Sequence, residues 1–247
     1  MPIEWRFEQY QKVLSTQHYV FDAIDTGEAE GLVVQALQQH GGKGRHGNQW
    51  ISPIGNLYMS ILLRPKCDLA QAGQLAFVTA VALSEALGEY IDADKHLKTL
   101  KWPNDLLIDN RKISGILLES DVKGNQLNAI VLGIGVNIFK APELAVGLND
   151  IAREPVYVNK VRDVTLEKLS YYCDLWQEKG FAPIREAWLK QAHGLGEQMT
   201  ARLPTESFKG VFKDLTEDGS LILDMDSEEK IIHAAEVHFG LDETEKV

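Results

Sequence analysis

The residues best equipped for chemistry lie in four short stretches. The densest is Gly41-Gly42-Lys43-Gly44-Arg45-His46-Gly47-Asn48-Gln49-Trp50, which follows an expected strand and carries four glycines and three side chains able to be cationic. Glycine lets the main chain approach an anion and turn its N–H groups inward, while Lys43 and Arg45 supply charge, so the stretch suits a phosphate or carboxylate. A bare surface loop is the plainer reading of any one such run. Lys101-Trp102-Pro103-Asn104-Asp105 stops a strand at a proline and gathers an ammonium, an amide and a carboxylate; alone it is equally a turn. Arg111 to Glu119 puts a basic pair, Arg111 and Lys112, at a hairpin before an apolar strand ending in a carboxylate, and hairpin charges are ordinarily just solvated. Gly133-Ile134-Gly135-Val136-Asn137 has glycines inside a strand, which weaken it unless a ligand or another backbone must come close.

Familiar nucleotide patterns do not fit these stretches. Gly42, Gly44 and Gly47 spell GxGxxG, but Trp50-Ile51-Ser52-Pro53 follows where a dinucleotide fold requires a helix. No HRD or DFG accompanies the glycines, and Gly42-Lys43 is not followed by the Ser or Thr of a P-loop. What the four stretches share is a place at strand ends. Each contributes part of what acyl-phosphate chemistry needs.

The elements that must position them are legible from periodicity. Apolar residues from Leu75 to Tyr90 recur at helical spacing, which predicts a helix over Ala70 to Ile91 with one face on a sheet. Strands are expected at Leu32 to Leu37, Leu57 to Leu63, Leu97 to Trp102, Ile113 to Glu119 and Leu127 to Ile138. Asp109-Asn110 between Ile108 and Arg111 reads as a tight hairpin turn. Thr165 to Lys179 and Pro183 to Ala192 read as two outer helices, the second opened by Pro183. From about Leu203 the texture changes to short strands at Gly210 to Phe212, Leu221 to Leu223, Ile231-Ile232 and Val237 to Phe239, with an Asp218-Gly219 turn, which predicts a small β-barrel appendage. The 247 residues therefore divide into a large domain over 1–200 and a small one over 201–247.

Composition excludes several classes. There are 25 basic and 36 acidic residues, a formal charge of -11, and no basic block, so neither nucleic acid nor anionic lipid is an expected partner. Cys67 and Cys173 are too few for a disulfide scaffold and lack zinc spacing. The N-terminus has no apolar signal region, and no stretch reaches the ~20 apolar residues of a membrane helix. A cytoplasmic protein is expected.

In their order the stretches resemble the motifs of the biotin protein ligases: Ser-Thr-Asn, GRGRxGxxW, KWPND, KxxGILxE and a GxGxN strand. Here they stand as Ser15-Thr16-Gln17, Gly42 to Trp50, Lys101 to Asp105, Lys112 to Glu119 and Gly133 to Asn137. KWPND followed seven residues later by a lysine is the specific part. The acidic C-terminal segment looks like the family's SH3-like domain. The resemblance implies an α+β fold: a mixed, mostly antiparallel sheet packed by helices, like the class II aminoacyl-tRNA synthetase and biotin–lipoate ligase catalytic fold, with a small C-terminal SH3-like β-barrel. It implies formation of biotinyl-5′-AMP from biotin and Mg-ATP, then transfer to a lysine of a biotin carboxyl carrier protein.

Carried over by position, Lys112 and Arg45 would be catalytic. Ser15, Thr16, Gln17, Gln39, Lys43, Gly44, Arg45, Lys112 and Gly115 would bind biotin. Lys43, Trp50, Lys101, Asn104, Asp105 and Asn137 would place ATP and Mg²⁺, with Asp105 the metal's hard-oxygen donor. Gly42, Gly47, Gly133 and Gly135 would be structural glycines of the site. A glycine loop ordering over the reactive adenylate would also exclude water. The chain departs from the family pattern at Gln17, Lys43 and His46, and lysine lacks the planar fork of arginine. Rival readings are a lipoate ligase or octanoyltransferase of the same superfamily, and a non-catalytic biotin-binding protein. With fourteen residues before Ser15, a single-function form without an N-terminal DNA-binding domain is expected; a homodimer through paired sheet edges stays open.

Overall fold

The structure is a computed structural model that describes residues 3–226 and 228–239. Its first half builds one seven-stranded sheet, ordered β1-β2-β3-β7-β6-β5-β4. The strands are β1 (Arg6–Val13), β2 (Leu32–Gln39), β3 (Leu57–Leu63), β4 (Lys98–Lys101), β5 (Asp105–Ile108), β6 (Arg111–Lys123) and β7 (Gln126–Val136). Only β1 and β2 run parallel. A parallel neighbour requires a crossover, and α1 (Thr16–Asp25) supplies it.

Helix α1 forms because Ser15 caps it, its Oγ accepting the Gln17 N–H at 3.3 Å, and because Val20 and Ile24, four residues apart, share one buried face. That face packs on Val34, Leu62, Ala129 and Val131. The other face of the sheet carries α2 (Gln74–Gly88), which is buried nearly all round: only Ala76, Glu85 and Gly88 escape full burial. The expectation of a single buried face is corrected here. Helices α3 (Val158–Lys179) and α4 (Ala182–Leu189) cover the side of α2 away from the sheet. Strand β3 is buried at every residue, so its alternation sends Leu57, Met59 and Ile61 toward the α2 layer and Leu62 toward α1. Ser60 shares the α1 side.

A second, five-stranded antiparallel sheet, ordered β11-β10-β9-β8-β12, comprises β8 (Gln198–Arg202), β9 (Ser207–Leu215), β10 (Leu221–Asp224), β11 (Glu229–Ile232) and β12 (Glu236–Phe239). It begins before the expected change of texture at Leu203. The closed barrel is not formed: among the described residues β11 and β12 remain edges with no ladder between them. The expected unit over 201–247 runs past Phe239, and residues 240–247 lie outside the described residues.

The two sheets share one core. Phe77 of α2 stacks edge-on with Phe181 and Trp188, and Trp188 with Phe212 of β9. Strands β1 and β8 and helix α1 were not expected. The strands and helices that were expected differ from the observed elements mainly at their ends, most at α3, which starts at Val158 instead of Thr165.

Candidate active site

The expected stretches meet in one cavity of about 350 Å³. Strand register explains why. The Asp109-Asn110 turn has φ of 49° and 63°, the left-handed pair that a tight hairpin needs. It sets Lys112 opposite Leu107 and Gly115 opposite Asp105. Lys112 Nζ then lies 2.7 Å from Asp105 Oδ1. Asn104 is fixed in turn, its carbonyl accepting the Ile116 N–H at 3.0 Å and its side-chain amide donating back to the Ile116 carbonyl. Trp102 donates its indole N–H to the Gly219 carbonyl at 3.0 Å, which ties this loop to the second sheet.

The glycine loop folds on itself through Gly44 N–H to Asn48 O at 2.7 Å and Trp50 N–H to Gly42 O at 2.9 Å. This returns Trp50 over the sheet, where Gly115 and Gly135, paired across β6 and β7, leave a flat place for its ring. A methyl on Gly135 would stand 2.5 Å from Trp50 Cε2. Lys112 Nζ lies 5.4 Å from the centre of the same ring.

Two pairs further along the ladder, Leu117 faces Gly133, and there the walls become uncharged and polar. Thr16 Oγ1 meets Ser60 Oγ at 2.7 Å, and Ser60 donates to Gln17 Oε1 at 2.9 Å. Gln39 Oε1 accepts the Thr16 N–H at 2.8 Å, and Gln39 Nε2 donates to Ser52 Oγ at 3.1 Å. From Lys112 to Leu117 an extended strand covers about 17 Å, so the cavity has a charged part and a neutral part.

Among the described residues, Lys43, Arg45, Lys101 and Lys112 line this cavity against two carboxylates, Asp105 and Glu236. The excess of cations suits an anionic ligand. Burial holds the Arg45 guanidinium below its usual pKa, and the charges of Asp105 and Glu236 oppose that shift. Burial also lowers the Lys101 ammonium; Asp105 and Glu236 act against the shift, and the neighbouring Lys112 charge adds to it. Cations drawn out of water are poised for an incoming negative charge.

Ser15, Thr16, Gln17, Gln39, Lys43, Gly44, Arg45, Trp50, Lys101, Asn104, Asp105, Lys112, Gly115, Gly133 and Gly135 all line the cavity. Gly42, Gly47 and Asn137 do not. Asn137 is buried behind the hairpin, donating to the Lys112 carbonyl at 3.5 Å, which makes it a brace for that lysine's backbone. Gly42 is glycine because a Cβ would press on Trp50 O at 2.5 Å and Ser52 Oγ at 2.8 Å, closing off the loop's return. The side chain of His46 lies outside the described residues.

Sequence reasoning missed Ser60 and Glu236. Ser60 was findable, as the one hydroxyl in the otherwise apolar Leu57-Tyr58-Met59-Ser60-Ile61-Leu62-Leu63 apart from the Tyr58 phenol. Glu236 offered no local signal, because it reaches the cavity only through the docking of the second sheet.

Comparison with known proteins gives two family matches. Residues 10–137 match the biotin/lipoate A/B protein ligase family, and residues 194–240 match the biotin protein ligase C-terminal domain. The biotin–[acetyl-CoA-carboxylase] ligase of Paracoccus denitrificans is 40% identical, over 84% of this chain and 90% of that protein. The bifunctional ligase/repressor BirA of Bacillus subtilis is 31% identical, over 94% of this chain and 73% of its own. The biotin protein ligase from Aquifex aeolicus in complex with biotin and ATP superposes with a TM-score of 0.81 at 27% identity, covering 95% of this chain and 99% of that one.

Proposed function

The chain belongs to the biotin/lipoate A/B protein ligase family, and we propose that its cavity holds biotin along β6, carboxylate among the cations and ring among the hydroxyls and amides. Its reaction is ATP-dependent protein biotinylation. Biotin and ATP give biotinyl-5′-AMP and pyrophosphate, and a lysine of a biotin carboxyl carrier protein then takes the biotinyl group. The rival attachment of lipoate or octanoate is not favoured.

The observation that carries the site assignment is the division of one cavity into a cationic part and a neutral polar part. The first step brings a carboxylate oxygen onto the α-phosphorus while pyrophosphate leaves. At ~4 Å and an effective dielectric near 20, two unit negative charges repel by about 4 kcal/mol, roughly three decades in rate. Lys112 and Arg45 offset that repulsion as fixed charges in a partly dry site. Asp105 holds the Lys112 ammonium at 2.7 Å and so sets where its charge points. Lys43 and Lys101 receive the remaining phosphate charge. In the second step the carrier amine attacks the acyl carbon and AMP departs. Trp50 and the glycine loop keep water from the adenylate.

The donor set suits Mg²⁺. Asp105 and Glu236 offer hard oxygens at the cationic part, and Mg²⁺ typically rests on one or two carboxylates plus substrate phosphates. Among the described residues no group of three or more metal-ligating side chains forms a cage, which fits an ion that arrives on the nucleotide. Asp105 would hold it there; when bound it neutralises phosphate charge. A homodimer through paired sheet edges, a cytoplasmic setting and a division of the chain near residue 200 complete the reading. The outer edge of β1, unpaired among the described residues, supports the first. No helix among the described residues is long and apolar enough to cross a membrane.

The test is pyrophosphate release with Mg-ATP and biotin, lipoate or octanoate in parallel, without a carrier. Release with biotin alone, lost in Lys112→Ala, is expected. Equal release in Lys112→Ala would remove that lysine from the chemistry, and release with lipoate alone would move the substrate.

A further inference from the structure

Asn56 belongs to none of the chemical stretches of the sequence and does not line the cavity, yet it is 2% exposed and its amide is engaged at both ends. Its Oδ1 accepts the N–H groups of Ile138, Phe139 and Lys140 at 2.9, 3.0 and 3.1 Å, and its Nδ2 donates to the Lys140 carbonyl at 2.7 Å. Successive N–H groups aimed at one point form a concave nest, which is stable when an oxygen sits at its centre. Strand β3 begins at the next residue, where Leu57 faces Val136, the end of β7. Asn56 therefore fixes the bend by which the chain leaves β7.

That chain turns back to Lys112. The ladder between β6 and β7 stops at Ser114 opposite Val136, so β7 gives Lys112 and Ile113 no partner. The strap of residues 137–149 takes its place. Before the bend, Asn137 donates its N–H to the Ile113 carbonyl at 2.8 Å and its side-chain amide to the Lys112 carbonyl at 3.5 Å. Beyond the bend, the Val146 N–H reaches the same Lys112 carbonyl at 3.1 Å. Leu148 and Asn149 close the strap, their N–H groups meeting the carbonyls of Asn137 and Ile138 at 2.9 Å each.

We infer that Asn56 is a positioning residue for Lys112: it shapes the strap that holds the backbone of β6 past the end of its ladder, and so keeps the ammonium beside Asp105. The inference rests on the biotin reading and adds to it a residue from outside the cavity. Small misplacements of a reacting group cost up to a hundredfold in rate, so the strap need move little to be felt.

The experiment compares the wild type with Asn56→Leu, which keeps the bulk and removes the amide, and Asn56→Asp, which keeps an oxygen for the nest. Pyrophosphate release from biotin is measured per site, with sites counted by the stoichiometry of biotin binding in calorimetry. Asn56→Leu should lower kcat per site about tenfold or more with the biotin KM unchanged, because Thr16, Gln39 and Ser60 lie on other elements. Asn56→Asp should recover most of kcat. A merely structural fault would reduce the number of sites and leave kcat at each one intact, which would overturn the inference, as would an aspartate variant as slow as the leucine one. Backbone hydrogen exchange, which needs no substrate, should be several-fold faster in Asn56→Leu over both 137–149 and 111–115. Faster exchange confined to 137–149 would mean that the strap does not govern Lys112, and would also overturn the inference. Should Asn56→Leu fail to fold, Asn56→Ser makes the same comparisons, its oxygen being too near the backbone to gather all three N–H groups. A wild type that releases no pyrophosphate with biotin would defeat the biotin reading, and the exchange comparison would still decide the role of Asn56.

Discussion

At the scale of single residues, the site depends as much on what is missing as on what is present. Gly115 and Gly135 carry no side chain, and the Trp50 ring takes the space. That ring is held by packing and by the Lys112 charge over its face, with no hydrogen bond: its indole N–H is buried without a partner among the described residues. An unpaired buried donor costs about 1–3 kcal/mol, so the ring has little to hold it if the floor beneath it rises. Gly135→Ala puts a methyl 2.5 Å from Trp50 Cε2 and should drive the ring away, cutting biotin-dependent pyrophosphate release about tenfold or more, on the scale of ~1.4 kcal/mol per decade. Trp50→Ala in the same background removes the overlap, so the double variant should melt above Gly135→Ala alone. A Gly135→Ala protein with wild-type melting and activity would show that the ring is not a wall of the site. Glycines inside a strand were visible in the sequence as an anomaly, but the tryptophan that explains two of them stands more than sixty residues from the nearer one, and periodicity has no means to pair them.

At the scale of elements, the hairpin joining β5 and β6 aims Lys112 into the cavity. Asp109 binds the Leu97 backbone in both directions at 2.9 Å and the His96 ring at 2.7 Å, while Asn110 takes a φ of 63°. Left-handed backbone costs an ordinary L residue roughly 1–2 kcal/mol, and a β-branched one is the least tolerant. Asn110→Val should therefore lose about that much stability in urea unfolding and lower kcat/KM through Lys112, while Asn110→Gly should keep both. A valine variant as stable and active as the parent would mean that the turn does not set the register. This hairpin was legible because Asp-Asn is turn chemistry with apolar runs on both sides. Strand β3 was legible to the residue, since seven consecutive buried positions lie between Gly55-Asn56 and Arg64-Pro65. Strand β1 was not: Arg6-Phe7-Glu8-Gln9-Tyr10-Gln11-Lys12-Val13 lies at an edge, is mostly solvent-facing and has no apolar alternation to read. Helix α1 was hidden for another reason. Ser15-Thr16-Gln17 was read as a ligand motif, and the same residues are the cap and first turn of a helix. Chemistry and architecture share those three positions, and a sequence shows only one use at a time.

At the scale of the whole molecule, the second sheet is a wall of the cavity. It brings Glu236 to the cavity, accepts the Trp102 indole through Gly219 and shares the Phe77-Trp188-Phe212 stack. Its attachment passes through His193, whose N–H donates to the Leu100 carbonyl at 2.8 Å, one residue before Lys101. The imidazole meets Phe239 edge-on at 4.7 Å. At Gly194 the backbone has a φ of 71°, and a Cβ would overlap the Phe239 ring. Burial holds the His193 pKa below its ordinary value, the Lys101 charge lowers it further, and Glu197 opposes both. An unfolded histidine titrates near ~6.5, so just below that pH the unfolded chain binds a proton that the folded chain refuses. Proton binding then favours unfolding, and stability falls as pH drops from the unfolded value toward the lowered folded one. Above both values the contribution is constant. Thermal melts between pH 7.5 and 5.5 should show the wild type losing more stability on acidification than His193→Gln, which carries no titrating ring at the junction. Because the same residue tethers the strand that ends in Lys101, biotin-dependent activity should fall over the same interval in the wild type and more shallowly in the variant. Parallel melting curves for the two proteins would mean that the junction is indifferent to the charge on His193. A steeper loss in His193→Gln would reverse the sign of the argument, requiring that the folded state hold the proton more tightly than the unfolded chain does.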